Sequence, residues 1–362
     1  MASTGAPESR QLRERPSPWT WPGAQDQEAL PFVSVVVVVR NEEANVLRCL
    51  SQIVEQDYPS DRLEIIVADG MSTDRTREIV KSFATNGIPI RIVPNPGLGR
   101  AQGLNVAIQS ARGDAIARVD ARTVIGPEYL SQCIRALLET GAENVGGVQK
   151  PIANTPTQEA IGLALSHPFG VGNAQFRLGR KSGYVDTVYL GCIRREVFDK
   201  VGLFDEHASV ISEDFDLNQR IRKAGGMVYL DTDIVTGYYP RETFRDFWKI
   251  YFRYGGAHAG SILKHGKLTT WRHIVPAVCV LLGSLLTGFS LVYPVFGFLL
   301  LGLTGLYLAI DVRVSLHLAL TKKKRGLFPQ LLFVFPCMHV ACGLGFWKRL
   351  LIHDRLGTYW KH

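Results

Sequence analysis

Val33–Val39 is a run of valines broken only by Ser34, the texture of a strand buried on both faces of a parallel sheet. Asn41 and Glu42 then open a helical pattern running to about Glu55. Leu63–Ala68 is a second apolar strand, ending at Asp69, and Ser72 and Thr73 are N-cap candidates for a helix through Phe83. Ile90–Val93 predicts a third strand, Arg100–Ser110 a helix, Ala115–Val119 a fourth strand ending at Asp120, and Pro127–Glu139 another helix. Strands alternating with helices over short connections predict a doubly wound α/β sheet, in which ligands sit beyond the C-terminal strand ends. Asn41, Asp69 and Asp120 all fall there. Asn144–Lys150 reads as a further strand, Pro151–Asp186 as irregular, Glu213–Ala224 as a helix and Met227–Leu230 as a short strand.

The pattern changes after residue 240. Arg241–Tyr254 crowds Phe244, Phe247, Trp248, Tyr251 and Phe252 onto a helical surface with basic residues between them. It reads as an interfacial helix lying against lipid, with packing on the soluble domain as the alternative. Ile274–Ile310 contains no charged residue. As one helix it would reach about 55 Å, against a hydrocarbon core of about 30 Å, so two membrane helices turning near Tyr293–Pro294 are expected. Leu327–Phe346 is a third apolar segment, interrupted by Pro329, Pro336 and His339, that either spans or dips in and returns. The resulting division is a disordered tail over 1–30, a catalytic domain over 31–240, an interfacial linker over 241–273, a transmembrane region over 274–346 and a basic tail over 347–362.

Charge sharpens this division. Residues 241–362 carry 16 Lys+Arg against 4 Asp+Glu, whereas residues 1–240 carry 25 against 29. The chain's net charge of +8 therefore belongs to its apolar part, where it suits anionic lipid headgroups rather than nucleic acid. The Lys322–Arg325 cluster is expected on the cytoplasmic side, and two crossings before it place the catalytic domain on that side too. A multi-pass protein of the cell (inner) membrane is the expectation. The first 30 residues hold no apolar run and do not read as a signal peptide; Trp19 and Trp21 are the residues there that could touch a membrane. Six scattered cysteines form no CxxC pair and signal neither a zinc site nor a disulfide framework.

Carboxylates at strand ends suit a phosphate-bearing ligand, by hydrogen-bonding a base N–H or by holding a divalent cation, although an Asp in that position is also an ordinary turn former. Several segments resemble family 2 glycosyltransferases of the GT-A fold. They are Val33-Ser-Val-Val-Val-Val-Val-Arg-Asn-Glu-Glu43, Val67-Ala-Asp-Gly-Met-Ser-Thr-Asp-Arg-Thr76, Gly99-Arg-Ala-Gln-Gly-Leu-Asn-Val-Ala107 and Arg118-Val-Asp-Ala-Arg122. Gly191-Cys-Ile-Arg-Arg-Glu-Val-Phe198, Val201-Gly-Leu-Phe-Asp-Glu206 and Ser212-Glu-Asp-Phe-Asp216 resemble that family's acceptor-side segments. The resemblance covers about residues 32–256 and is nearest to the succinoglycan-type exopolysaccharide enzymes with C-terminal membrane helices.

That resemblance implies a Rossmann-like GT-A catalytic domain using a nucleotide-diphosphate sugar. It implies Val38, Arg40 and Glu42 around the nucleotide and Asp69 on the base. It makes Asp120 the metal-linked aspartate of the DxD motif, with Mg2+ or Mn2+ as cofactor. Arg122 stands where the second Asp is usual; a guanidinium cannot ligate a cation, so Arg122 either pairs with the donor phosphates or forms a surface ion pair. Asp214 becomes the base of an inverting transfer and Glu213 its support, where the residues alone read as an acidic first turn matching a helix dipole. Arg253, on an aromatic helix, is implied near the diphosphate. The processive QxxRW signature is incomplete, with Ile250 and Tyr254 at two of its positions, which favours addition of one sugar. Gly97–Gly103 matches no phosphate-loop pattern. His167, His207 and His258 read as structural.

The expected partners are thus a nucleotide-diphosphate sugar, such as a UDP-sugar, a lipid-linked saccharide acceptor, and the membrane. A polyprenyl-phosphate glycosyl synthase, a processive polysaccharide synthase, and a non-catalytic membrane scaffold with a degenerate donor site are the alternatives.

Overall fold

The structure, a computed structural model, describes residues 30–206, 213–266 and 271–352. The tail over 1–29, His207, Ser212 and the end of the basic tail from 353 lie outside the described residues. In chain order the elements are β1 (Val33–Val39), α1 (Val46–Val54), β2 (Leu63–Asp69), α2 (Thr76–Ser82), β3 (Ile90–Pro94), α3 (Arg100–Ser110), β4 (Ala115–Asp120), β5 (Val124–Ile125), α4 (Tyr129–Thr140) and β6 (Asn144–Pro151). There follow α5 (Pro156–Leu165), α6 (Pro168–Val171), α7 (Gln175–Leu178), β7 (Gly183–Tyr184), β8 (Tyr189–Arg194), α8 (Glu196–Val201), α9 (Glu213–Lys223) and β9 (Val228–Tyr238). The chain then continues through α10 (Phe244–His265), α11 (Val275–Ser290), α12 (Pro294–Thr321) and α13 (Phe328–Leu351). They divide into two compact units, one of residues 30–149, 179–206 and 213–238, the other of 150–178, 239–266 and 271–352.

The first unit is built on a mixed sheet in the order β3-β2-β1-β4-β8-β6-β9-β5, with β7 on β9. β3, β2, β1 and β4 are parallel, and β8 runs antiparallel to β4. β1 and β2 are buried along almost their whole length, which is why their sequences are unbroken apolar runs rather than alternating ones. The doubly wound expectation holds for the parallel half. The antiparallel half was less visible: β9 extends eleven residues where four were expected, because Asp231, Thr232 and Asp233 interrupt the apolar run without interrupting the strand.

Two helix starts differ from expectation for one reason. α1 begins at Val46, not Asn41, and α2 at Thr76, beyond Ser72 and Thr73. The intervening residues bond to each other. Asn41 N donates to Ser72 Oγ (3.0 Å), Thr73 N to Asn41 Oδ1 (2.9 Å), and Glu42 N to Thr76 Oγ1 (2.8 Å). Asn41 sits at φ +53°, a conformation asparagine tolerates and a helix interior does not. The two loops are thereby laced into one rim over the strand ends.

In the second unit, 150–178 is not irregular. Thr155 Oγ1 accepts from Gln158 N (3.2 Å) ahead of Pro156 at the first turn of α5, a start signal present in the sequence. α10 runs on through Gly255 and Gly256 to His265. Those glycines permit contact rather than ending the helix: a Cβ at Gly255 would lie 1.8 Å from Cys342 O, and one at Gly345 1.8 Å from Phe252 O. α10 and α13 therefore cross backbone to backbone. Gly255→Ala and Gly345→Ala are each expected to destabilise the protein by about 1–3 kcal/mol or more through overpacking. Gly256→Ala, whose Cβ would be 3.6 Å from Gly345 O, should be neutral or stabilising. Thermal unfolding in detergent checks the ordering.

Among the described residues three segments are long and apolar enough to cross a membrane: Trp271–Ser290, Pro294–Thr321 and Arg325–Leu351. The expected turn falls at residues 291–293, between α11 and α12. α13 is continuous through Pro336.

Candidate active site

The parallel register brings the strand-end residues together. Asp69 lies opposite Val39, and Asp120 opposite Val38, so both carboxylates flank the end of β1. Val38 is half-buried beneath α3, where a Cβ at Gly103 would sit 2.7 Å from Val38 Cγ1; α3 thus rides close on β1 only because residue 103 is glycine. Arg40 is exposed on the rim. Asp69 is buried, accepts from Ser72 N at 3.2 Å on both oxygens, and is bonded by Arg77 Nε.

Asp120 belongs to a cluster that the sequence reading only half anticipated. Arg118 precedes it by two residues and so shares its face of β4. Arg118 Nε donates to Asp120 Oδ1 (3.0 Å) and Nη2 to Asp120 Oδ2 (3.3 Å). The same Nη2 reaches Glu213 Oε1 (3.2 Å), and Nη1 bonds Asp214 Oδ1. Arg100, the first residue of α3, places Nη1 3.3 Å from Glu213 Oε1 and 4.0 Å from Asp120 Oδ2. Two guanidinium groups thus meet three carboxylates from β4 and the first turn of α9. Neither Arg118 nor Arg100 is among the candidates the sequence points to, yet both bond the carboxylates that are. The signal for Arg118 was a charge inside an otherwise apolar strand, two places before a strand-end Asp, since a buried charge needs partners.

The cluster separates its two aspartates. Burial pushes Asp120 up, but Arg118 and Arg100 outweigh it and hold the carboxyl below its ordinary value. For Asp214 burial dominates; Glu213 and Asp120 add to it, Arg118 and Arg100 oppose it, and the carboxyl is pushed up to about 7. Burial alone would depress Arg118, yet Asp120, Asp214 and Glu213 raise it well above its usual value. Carboxylates whose environments drive them apart in this way suit different roles, one permanently anionic and one able to take a proton. Asp214 keeps 25% of its side chain exposed and Asp120 23%, so both remain open to a ligand.

Arg122, 65% exposed, turns onto Glu42, with Nε 2.8 and 3.0 Å from the two carboxylate oxygens. Among the described residues no three His, Cys, Asp or Glu side chains gather into a metal cluster. A divalent ion at Asp120 would therefore draw one carboxylate from the protein and its other ligands from phosphate and water, a set that fits Mg2+ or Mn2+ but not a protein-enclosed metal. Arg253 belongs to the second unit, exposed on α10. His167 and His258 also lie there: His167 Nδ1 accepts from Phe169 N (3.1 Å), and the ring of His258 stacks on His273 at 3.8 Å.

A parallel half-sheet continued by antiparallel strands, with acidic residues at its strand ends and at the start of a following helix, is the arrangement of the GT-A fold. Residues 34–202 match the family described as Glycosyl transferase family 2. The chain thus carries a family 2 glycosyltransferase domain and is an enzyme of that kind. It is 27% identical over 324 residues to the succinoglycan biosynthesis protein ExoA of Rhizobium meliloti, covering 88% of this chain and 95% of that protein. A Methanococcus voltae protein, dolichyl N-acetyl-alpha-D-glucosaminyl phosphate 3-beta-D-2,3-diacetamido-2,3-dideoxy-beta-D-glucuronosyltransferase, is 26% identical over 327 residues, 88% of this chain and 97% of its own. The mannosyltransferase PcManGT from Pyrobaculum calidifontis, solved with GDP-Man and Mn2+, shares the fold with a TM-score of 0.58 at 18% identity, over 94% of this chain and 92% of that one.

Proposed function

We propose that this enzyme moves one sugar from a nucleotide-diphosphate sugar to a hydroxyl of a lipid-linked saccharide, with inversion, in exopolysaccharide or cell-envelope glycan synthesis. The observation that carries the reading is the Arg118 cluster, which joins Asp120 at the end of β4 to Asp214 at the start of α9. Val38, Arg40, Glu42 and Asp69 border the nucleotide, and Arg253 serves the diphosphate. Asp120 would hold a Mg2+ or Mn2+ ion, which would supply charge neutralisation for the diphosphate. Asp214 takes the acceptor's hydroxyl proton. The oxygen attacks the anomeric carbon, and the bond to the phosphate oxygen breaks, its electron pair leaving with the nucleotide diphosphate. Glu213, buried and bonded to two arginines, supports Asp214.

The Methanococcus voltae relative, whose name includes a dolichyl-linked sugar phosphate, supports a lipid-linked acceptor, and the relative named for succinoglycan biosynthesis supports exopolysaccharide synthesis. The three apolar segments support anchorage. In this reading α11 and α12 cross as a hairpin, and Lys322–Arg325 and the catalytic domain face the cytoplasm of a cell whose inner membrane holds the chain. A screen of nucleotide-sugar donors in membranes, with Mn2+ added or chelated, tests it by nucleotide diphosphate release and by mass of the lipid product. One sugar added per acceptor is expected. No release from any donor, or a polymeric product, overturns the proposal.

Arg122 gives a separate test. Its exposed pair with Glu42 is worth about 0–1 kcal/mol. Arg122→Ala is therefore expected to leave thermal stability nearly unchanged while raising donor KM by about tenfold, the loss of one charge-assisted contact to phosphate. An unchanged KM would assign Arg122 to the ion pair alone.

A further inference from the structure

We propose that Arg118 is a positioning residue for the transfer, its guanidinium fork holding the Asp214 carboxylate toward the acceptor and fixing it relative to Asp120 on the donor side. The proposal rests on Asp214 being the base. Arg118 is buried within β4, between apolar neighbours, where an uncharged side chain would suit the sheet at least as well. Its presence there is explained by geometry that an apolar residue cannot supply. A planar guanidinium offers five donors in fixed directions. Here they serve three carboxylates brought in by two elements far apart in sequence: Asp120 at the end of β4, and Glu213 and Asp214 at the start of α9.

Each carboxylate is held differently. Asp120 is gripped on both oxygens. Glu213 is pinned on Oε1 by Arg118 and Arg100 together, from β4 and α3, which anchors the first turn of α9 to two elements of the sheet layer. Asp214 is held by Oδ1 alone, and its Oδ2 makes no hydrogen bond among the described residues. In this proposal Oδ2, the oxygen that Arg118 does not hold, receives the proton. The fork decides where that oxygen points. Lysine, with a single nitrogen, cannot hold all three groups in one plane. A misplacement of about 1 Å at such a group costs about 100-fold in rate.

The experiment compares Arg118→Gln, Arg118→Lys, Asp214→Asn and the Arg118→Gln/Asp214→Asn double variant in membranes, with kcat, donor KM and nucleotide diphosphate affinity measured for each. Arg118→Gln is expected to lower kcat by about 100-fold and Arg118→Lys by about tenfold, each a larger change than the accompanying rise in donor KM through Asp120. In the Asp214→Asn background the loss of Arg118 should add less than about threefold, because the two act through one oxygen. A kcat within threefold of the parent in Arg118→Lys overturns the proposal, and so does a loss confined to KM. Losses that multiply in the double variant overturn it too, while leaving the base intact. Parental turnover in Asp214→Asn instead removes the base reading itself. Should Arg118→Gln fail to fold, the Arg118→Lys split between kcat and KM decides the matter alone.

Discussion

Asp214→Asn is expected to reduce kcat by about 10²–10⁴-fold, the usual contribution of a general base, with donor KM changed by no more than a few fold. The substitution is close to isosteric, and the amide oxygen can still accept from Arg118 Nη1. Asp120 and Glu213 keep their own bonds to Arg118, so the donor side of the cluster is left standing. What disappears is the ability to take a proton from the attacking hydroxyl. Initial rates of nucleotide diphosphate release measure this directly. Turnover at the parental rate would point instead to an acceptor that arrives ionised, such as a lipid phosphate, which has no proton to give up.

The same carboxyl dictates the pH profile. As the proposed base Asp214 would act only when ionised, and burial, reinforced by Glu213 and Asp120, pushes it up to about 7 against the pull of Arg118 and Arg100. Turnover should therefore rise as pH increases through about 7 and level off above it, falling about tenfold for each unit below. Asp120, held low by the two arginines, stays anionic across this range and contributes no second acid limb. A kcat profile flat from pH 5 to 8 would contradict the assignment.

Much of the parallel half was legible because burial on both faces leaves unbroken apolar runs and because ligand-binding residues follow strand ends. Asp69, Asp120, Glu213 and Asp214 are the candidates that strand ends or the family pattern point to. Their partners were harder to see. Arg118 is separated from Glu213 and Asp214 by about a quarter of the chain, and no local periodicity records a bond across that distance. Arg77 on Asp69 and Glu42 under Arg122 are likewise tertiary pairings. The role of Gly255 is tertiary as well. Local propensity makes a glycine pair a helix stop, whereas here close packing against Cys342 in α13 requires one. By contrast, Thr155-Pro156-Thr157-Gln158 was a readable start signal for α5, overlooked inside a segment whose glycines and aromatics obscure any period.

Asp120→Asn is expected to lower kcat/KM by about 10²–10³-fold, and through the donor rather than the base. Asparagine preserves the acceptor for Arg118 Nε but removes the charge that a divalent cation needs, leaving two guanidinium groups against two carboxylates where there were three. In the parent, Mn2+ should tighten nucleotide diphosphate binding measured by calorimetry; in Asp120→Asn it should not, because Asp120 is the one carboxylate proposed to hold the ion. Arg122→Asp supplies the converse. It restores a second acidic side chain at the motif and frees Glu42, so Mn2+ should then bind more tightly than in the parent. If chelation leaves parental nucleotide binding and turnover unchanged, the cation has no part in the reaction. The positive charge facing the diphosphate would then come from Arg100 and Arg122, and Asp120 would serve chiefly to hold Arg118.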